Sequence, residues 1–130
     1  MTFIGIALAA QGRYEEAIQR QRRARVLNPK DTWILAHLAY TYAISGRIGK
    51  AKEHLKELQE TVRDDLAIAV EIAGVYSGLG DREQAFLWLK RALEARSQKL
   101  RWLGVDQRFL RLHGDQRFND LLRSVGLPHQ

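Results

Sequence analysis

Residues 32–51 read TWILAHLAYTYAISGRIGKA, and 34 positions later residues 66–85 read LAIAVEIAGVYSGLGDREQA. Laid over one another, the two stretches place Ala39 on Ala73, Tyr42 on Tyr76, Gly46 on Gly80 and Ala51 on Ala85. The same step taken backward reaches Gly5, Leu8, Gly12 and Ala17, and a fifth register joins Ala24, Leu58 and Ala92. A fixed period of this length marks stacked helical hairpins. Each register also has a mechanical reason. The glycines follow an apolar helix and take the left-handed backbone that ends it, setting the turn into a second helix. The small residues leave no bulk between paired helices, so their axes approach to roughly 8–10 Å.

Charge divides the helices of each hairpin. From Thr32 to Gly46 there is no Lys, Arg, Asp or Glu, and from Leu66 to Gly80 the only one is Glu71. Charge gathers instead in Arg13 to Arg25, Arg47 to Glu60 and Asp81 to Arg96. First helices packed on both flanks therefore line an inner surface, while second helices meet water. Helices are expected near 2–11, 14–27, 32–45, 48–61, 66–79 and 82–96, with Asp31 and Asp65 where N-caps are wanted. The class is all-α. Pro29 and Pro128 are the only prolines, which leaves long helices cheap to form. The 130 residues make one domain, long enough to bury roughly two thirds of the unfolded surface without staples. Cysteine is absent, which excludes disulfides and thiolate metal sites and fits a reducing, cytoplasmic setting. Met1 to Ala10 is uncharged and apolar like the core of a secretory signal, but no basic residue precedes it and it is too short to span a bilayer. It reads as the first helix of the array, and no membrane span is expected.

The combined pattern resembles the tetratricopeptide repeat family. The residues that carry the resemblance are Gly12, Tyr14, Ala17, Ala24 and Pro29 in the first unit. Leu38, Ala39, Tyr42, Gly46 and Ala51 carry it in the second unit, and Ala73, Tyr76, Gly80, Ala85 and Ala92 in the third. The likeness covers Met1 to about Arg96. It implies a right-handed α-solenoid of three helix-turn-helix units, about 1–31, 32–65 and 66–99, within an array spanning 1–104. Some positions depart from the pattern: Gln21 stands where Leu55 and Leu89 are apolar, Arg82 replaces the ring of Tyr14, and Pro29 is answered by Arg63 and Ser97. These weaken single packing sites.

After Arg96 the period stops, and a smaller repeat takes over. Asp106-Gln-Arg-Phe109 and Asp115-Gln-Arg-Phe118 lie nine residues apart. Each Asp can N-cap a short helix, with Phe109 and Phe118 as buried anchors and Gly114 and Gly126 as stops. Residues 105–130 thus read as the capping helices that a solenoid needs to hide its last apolar face. This tail resembles the ending of bacterial repeat segments that follow a DNA-binding, cyclase or kinase domain. The chain is expected to be the carboxyl-terminal scaffold or sensor part of a larger regulatory protein, with a small complete protein as the alternative. Met1 falls inside the first helix of the first unit, so Met1, Phe3, Ile4, Ile6 and Leu8 are expected to draw a second copy of the chain.

In the family, peptides lie along the groove of the first helices. The resemblance therefore implies that Phe3, Ile6, Trp33, His37, Tyr40, Ile44, Val70 and Glu71 face a protein or peptide ligand. Trp33, His37, Tyr40 and Ile44 form one stripe at helical spacing, while Leu35, Leu38, Ala39 and Tyr42 form the opposite one. A helix apolar on both stripes must be covered on both, by a ligand, the cap, a neighbouring domain or a second copy. One subtype is disfavoured. Chaperone-binding members clamp a terminal carboxylate with Lys, Asn and Arg. The matching places here are Thr2, Ile6, His37, Ala67 and Glu71, of which only His37 can donate and Glu71 repels. His37 and Glu71, 34 residues apart, are candidate neighbours across two first helices.

No enzyme is indicated. His37, His54, His113 and His129 lack metal-binding spacing, and no glycine-rich phosphate loop precedes a helix, so no metal or cofactor is expected. Glu15, Glu16, Glu53 and Glu57 read as solvated outer charge. The net charge is +6, and residues 1–31 hold six basic against three acidic groups, densest at Arg20, Arg22, Arg23 and Arg25. With no aromatic residue beside that cluster, specific nucleic-acid reading is not expected. The reading is a protein-interaction module. Its alternatives are self-association, or non-specific anion and nucleic-acid binding by the arginine cluster.

Overall fold

A computed structural model of the chain describes residues 13–61 and 68–126. The expected helix near 2–11, with Phe3, Ile6 and Gly12, lies outside the described residues. So do the apolar positions expected to draw a second copy, and Asp65. Within them run α1 (Tyr14–Leu27), α2 (Thr32–Ile44), α3 (Ile48–Thr61), α4 (Ala69–Leu79) and α5 (Arg82–Glu94). Two 3-10 helices, Gln98–Trp102 and Gln107–Leu112, and α6 (Gln116–Ser124) follow among the described residues. No strand occurs among the described residues, and no described helix is long and apolar enough to cross a membrane.

The turns form as their residues dictate. Gly46 takes φ +84° and Gly80 φ +81°, a region closed to most side chains. At Gly46 the chain folds back through two bonds: Gly46 N donates to Ala43 O at 3.3 Å, and Arg47 N to Tyr42 O at 2.9 Å. Gly80 and Asp81 repeat both bonds onto Ser77 O (3.0 Å) and Tyr76 O (2.9 Å). This paired closure satisfies carbonyls that a helix end leaves open. Asp31 caps α2 by accepting from Trp33 N at 2.9 Å and Ile34 N at 3.2 Å. Asp81 caps α5 by accepting from Gln84 N at 3.1 Å.

The hairpins stack into an all-α solenoid. α2 packs on α1 and α3, α4 packs on α3 and α5, and α2 and α4 lie side by side as the inner layer. The small-residue registers sit where the axes meet: Ala17, Ala51, Ala85, Ala39 and Ala73 are all 0 % exposed. α4 begins at Ala69, later than the apolar run suggests. α5 ends at Glu94, and Arg96 turns the chain at φ +56° although it is not glycine.

The tail folds under the third unit. Asp106 accepts from Arg108 N at 3.0 Å and Asp115 from Arg117 N at 2.9 Å, so each starts its short helix. Phe109 and Phe118 are buried with Leu112 and Leu122 against Phe86, Leu89 and Ala92. Gly114 (φ +90°) and Gly126 (φ +76°) end the two segments.

Candidate functional site

The inner surface is built by two unlike helices. α4 carries Glu71 as its one charged residue and is buried from Ala69 to Val75, Val70 and Glu71 included. α2 is apolar on both stripes, but Trp33, Tyr40 and Ile44 are only half-buried, while His37 is 6 % exposed. The Trp33 and His37 rings meet edge to face with centroids 4.4 Å apart, which fixes the amino-terminal end of this stripe. Further along, Thr41 Oγ1 donates to His37 O at 3.0 Å.

Two glycines one turn apart, Gly74 and Gly78, decide what α4 can touch. A Cβ at Gly78 would lie 3.1 Å from Tyr40 Cδ1 and 3.2 Å from Ala43 Cβ, so this glycine lets α4 close onto the α2 ring. A Cβ at Gly74 would lie 3.1 Å from Arg108 Cδ, so this one makes room for the tail. The second 3-10 helix packs across α4 at that point.

Arg108 is therefore an internal occupant of the groove. Its Nε lies 3.0 Å from Asp106 Oδ1 and its Nη2 2.6 Å from Asp106 Oδ2, a forked pair that holds the guanidinium flat. Burial works against the cation, but the hydrogen bonds and charge of Asp106, with Glu71 and Tyr40 behind them, hold its pKa above the usual arginine value. One turn later, Arg111 Nη1 donates to Gly78 O at 3.0 Å. Burial also raises the Tyr40 phenol above its ordinary value, against the smaller pull of Arg108 and Arg111. The phenol stays neutral and able to donate.

The structure thus brings Tyr40 and Glu71 to one centre through Arg108, and places Trp33 and His37 together at the other end of α2. Val70 sits in the core shared by α4, α5 and the tail. Phe3 and Ile6 lie outside the described residues. The arginines of the tail escaped sequence reasoning, which used Asp and Phe of each Asp-Gln-Arg-Phe element as cap and anchor and left the third residue idle. The visible trace was the spacing of Gly74 and Gly78, which marks a close approach on one helix face.

The outer cluster behaves differently. Arg20, Arg22 and Arg23 are exposed on α1, while Arg25 Nη2 reaches Glu57 Oε1 at 2.5 Å, tying α1 to α3. Arg47 pairs with Glu15. Among the described residues no group of three or more His, Cys, Asp and Glu is arranged to hold a metal.

Comparison with known proteins agrees with this architecture. No curated protein matches the chain. A tetratricopeptide repeat family model matches residues 8–70, and a second tetratricopeptide repeat model matches residues 67–99. Stacked hairpins, alanine contacts, glycine turns and two matching models together place the chain in the tetratricopeptide repeat family.

Proposed function

We propose that the chain binds a peptide or partner domain along α2, as the scaffold or sensor part of a larger bacterial regulatory protein. The family generally mediates protein–protein interaction and is typically non-catalytic. The observation that carries the reading is the stripe of Trp33, Tyr40 and Ile44, half-buried beside an α4 that is covered. Aromatic side chains in this setting supply large contact area at little entropic cost. The Arg108 tail narrows the site to the α2 side of the groove. A cytoplasmic setting fits a chain without cysteine.

The test starts from peptides selected against the whole chain from a random display library. Tyr40→Ala or Trp33→Ala is expected to weaken the selected peptides by about 2 kcal/mol or more, as for interfacial aromatic anchors, with little change on adding salt. Arg22→Ala with Arg23→Ala is expected to leave them unaffected. The opposite ranking, in variants with unchanged circular dichroism, would overturn the groove reading.

A further inference from the structure

On the outer side, three hollows follow one another, each headed by a cation in the same repeat register: Arg22, Lys56 and Lys90. Their charge is not equivalent. The hollow beside Lys56 sets Lys52 and Lys56 against Asp81, and the one beside Lys90 sets Lys90 and Arg117 against Asp120, so each carries one carboxylate and one cation in excess. The hollow between α1 and α3 is lined by Arg22, Arg25 and Lys50 with His54, and by no acid. Arg25 is engaged by Glu57, and Lys50 stands 3.8 Å from Glu53. Arg22 has no ion pair among the described residues and is exposed. Burial pushes the His54 imidazole below its usual range, with the charge of Arg25 behind it, against its bond to the Lys50 carbonyl and the smaller pull of Glu57 and Glu53 just outside the hollow.

The rest of this hollow is apolar. Leu38 and Tyr42 floor it, and Val26 and Pro29 form its rim. Val26 is 80 % exposed and the neighbouring Leu27 68 %, the two most exposed large aliphatic side chains on α1. Its volume of about 420 Å³ admits a few side chains, within the ordinary range of ligand sites. A cation with no ion pair among the described residues, beside an exposed apolar rim, calls for a ligand with both an anion and an alkyl group. Nucleic acid supplies the first without the second, and Tyr42, 6 % exposed, offers no free ring face for a base.

We propose that the hollow between α1 and α3, headed by Arg22, is a second docking site that takes an acidic segment of a partner protein, carboxylates on the cations and an aliphatic side chain on Val26 and Pro29. It is separate from the groove on α2, and the two are tested by different variants.

The probe is a fluorescein-labelled peptide, acetyl-Glu-Asp-Leu-Glu-Asp-Leu-Glu-amide, titrated with the full chain and read by anisotropy. Saturable binding is expected, weakened at least about tenfold by Arg22→Glu and by less than about twofold by Lys56→Glu. The same peptide with serine for leucine is expected to bind at least about fivefold more weakly. Val26→Ser, which leaves every charge in place, is expected to cost about threefold or more. Arg22 is exposed, so its variants should keep the parent melting temperature, and Arg22→Gln provides a milder check. Equal losses from Arg22→Glu and Lys56→Glu, or equal binding of the serine peptide, would mean general attraction to a basic surface and would overturn the proposal. So would a loss on Tyr40→Ala, which would put the peptide in the groove, or displacement by duplex DNA at lower concentration than by unlabelled peptide.

Discussion

Gln21 is a polar side chain where the repeat wants an apolar one. It is 0 % exposed, and neither end of its amide finds a hydrogen-bond partner among the described residues. Its counterparts one and two units on, Leu55 and Leu89, are buried hydrophobes in the same setting. An unsatisfied buried amide costs about 1–3 kcal/mol, and leucine is close to it in volume. Gln21→Leu is therefore expected to stabilise the chain by about 1–2 kcal/mol, read as a higher urea midpoint at unchanged slope. A lower midpoint would mean that the amide is satisfied. Arg96 is the second residue at odds with its place. Its N–H donates to Leu93 O at 3.0 Å and Ser97 N to Ala92 O at 3.0 Å, the same paired closure that Gly46 and Gly80 make. Holding a side chain in the left-handed region costs about 1–2 kcal/mol, so Arg96→Gly should raise the melting temperature despite the added freedom of the unfolded chain. No gain would show that the arginine makes up its strain through contacts.

Among the elements, α4 shows how one face can be specified by absence. Gly74 and Gly78 both cost helix propensity, about 1 kcal/mol each relative to alanine, yet they answer to different neighbours. Over Gly74 lies the flexible stem of Arg108, and over Gly78 lie a ring and a backbone-anchored methyl. Gly74→Ala is expected to be neutral or mildly stabilising, because the arginine can shift by a few tenths of an ångström. Gly78→Ala should destabilise by about 1–2 kcal/mol as α2 and α4 are forced apart. Thermal unfolding of the two variants, with opposite signs, is the check. Much of this level was legible beforehand. Turns that need positive φ leave a glycine at a fixed step, close helix pairs leave an alanine, and helix starts leave an aspartate, as at Asp31, Asp106 and Asp115. The end of α5 was less legible because an arginine holds the place of the glycine. The filling of the groove was not legible either, since the direction in which Arg108 points depends on a long-range contact that no local spacing encodes.

For the molecule as a whole, the tail clasps the third unit from two sides. The first Asp-Gln-Arg-Phe element sends Arg108 onto the inner helix α4. The second sends Arg117 to the outer helix α5, where its Nη1 meets Glu83 at 2.6 Å and its guanidinium lies 4.3 Å over the Phe86 ring. Asp115 anchors that arginine, whose hydrogen bonds hold its carboxyl below the usual aspartate range. Removing residues 105–130 would strip Phe109, Leu112, Phe118 and Leu122 from a shared core, each worth about 1.5–3 kcal/mol of burial. The truncated chain is expected to aggregate or to melt far below the parent in light-scattering and calorimetric scans. Equal stability would reduce the tail to an appendage. The same clasp sets an order of events along the chain. In a solenoid each unit is held only by its neighbours, so a unit gripped on both faces becomes the last to let go. Heating or pulling should then peel the array from the α1 side toward α5. The α2 stripe lies on the part that opens first, where the arrival of another protein would change the resistance to unravelling most.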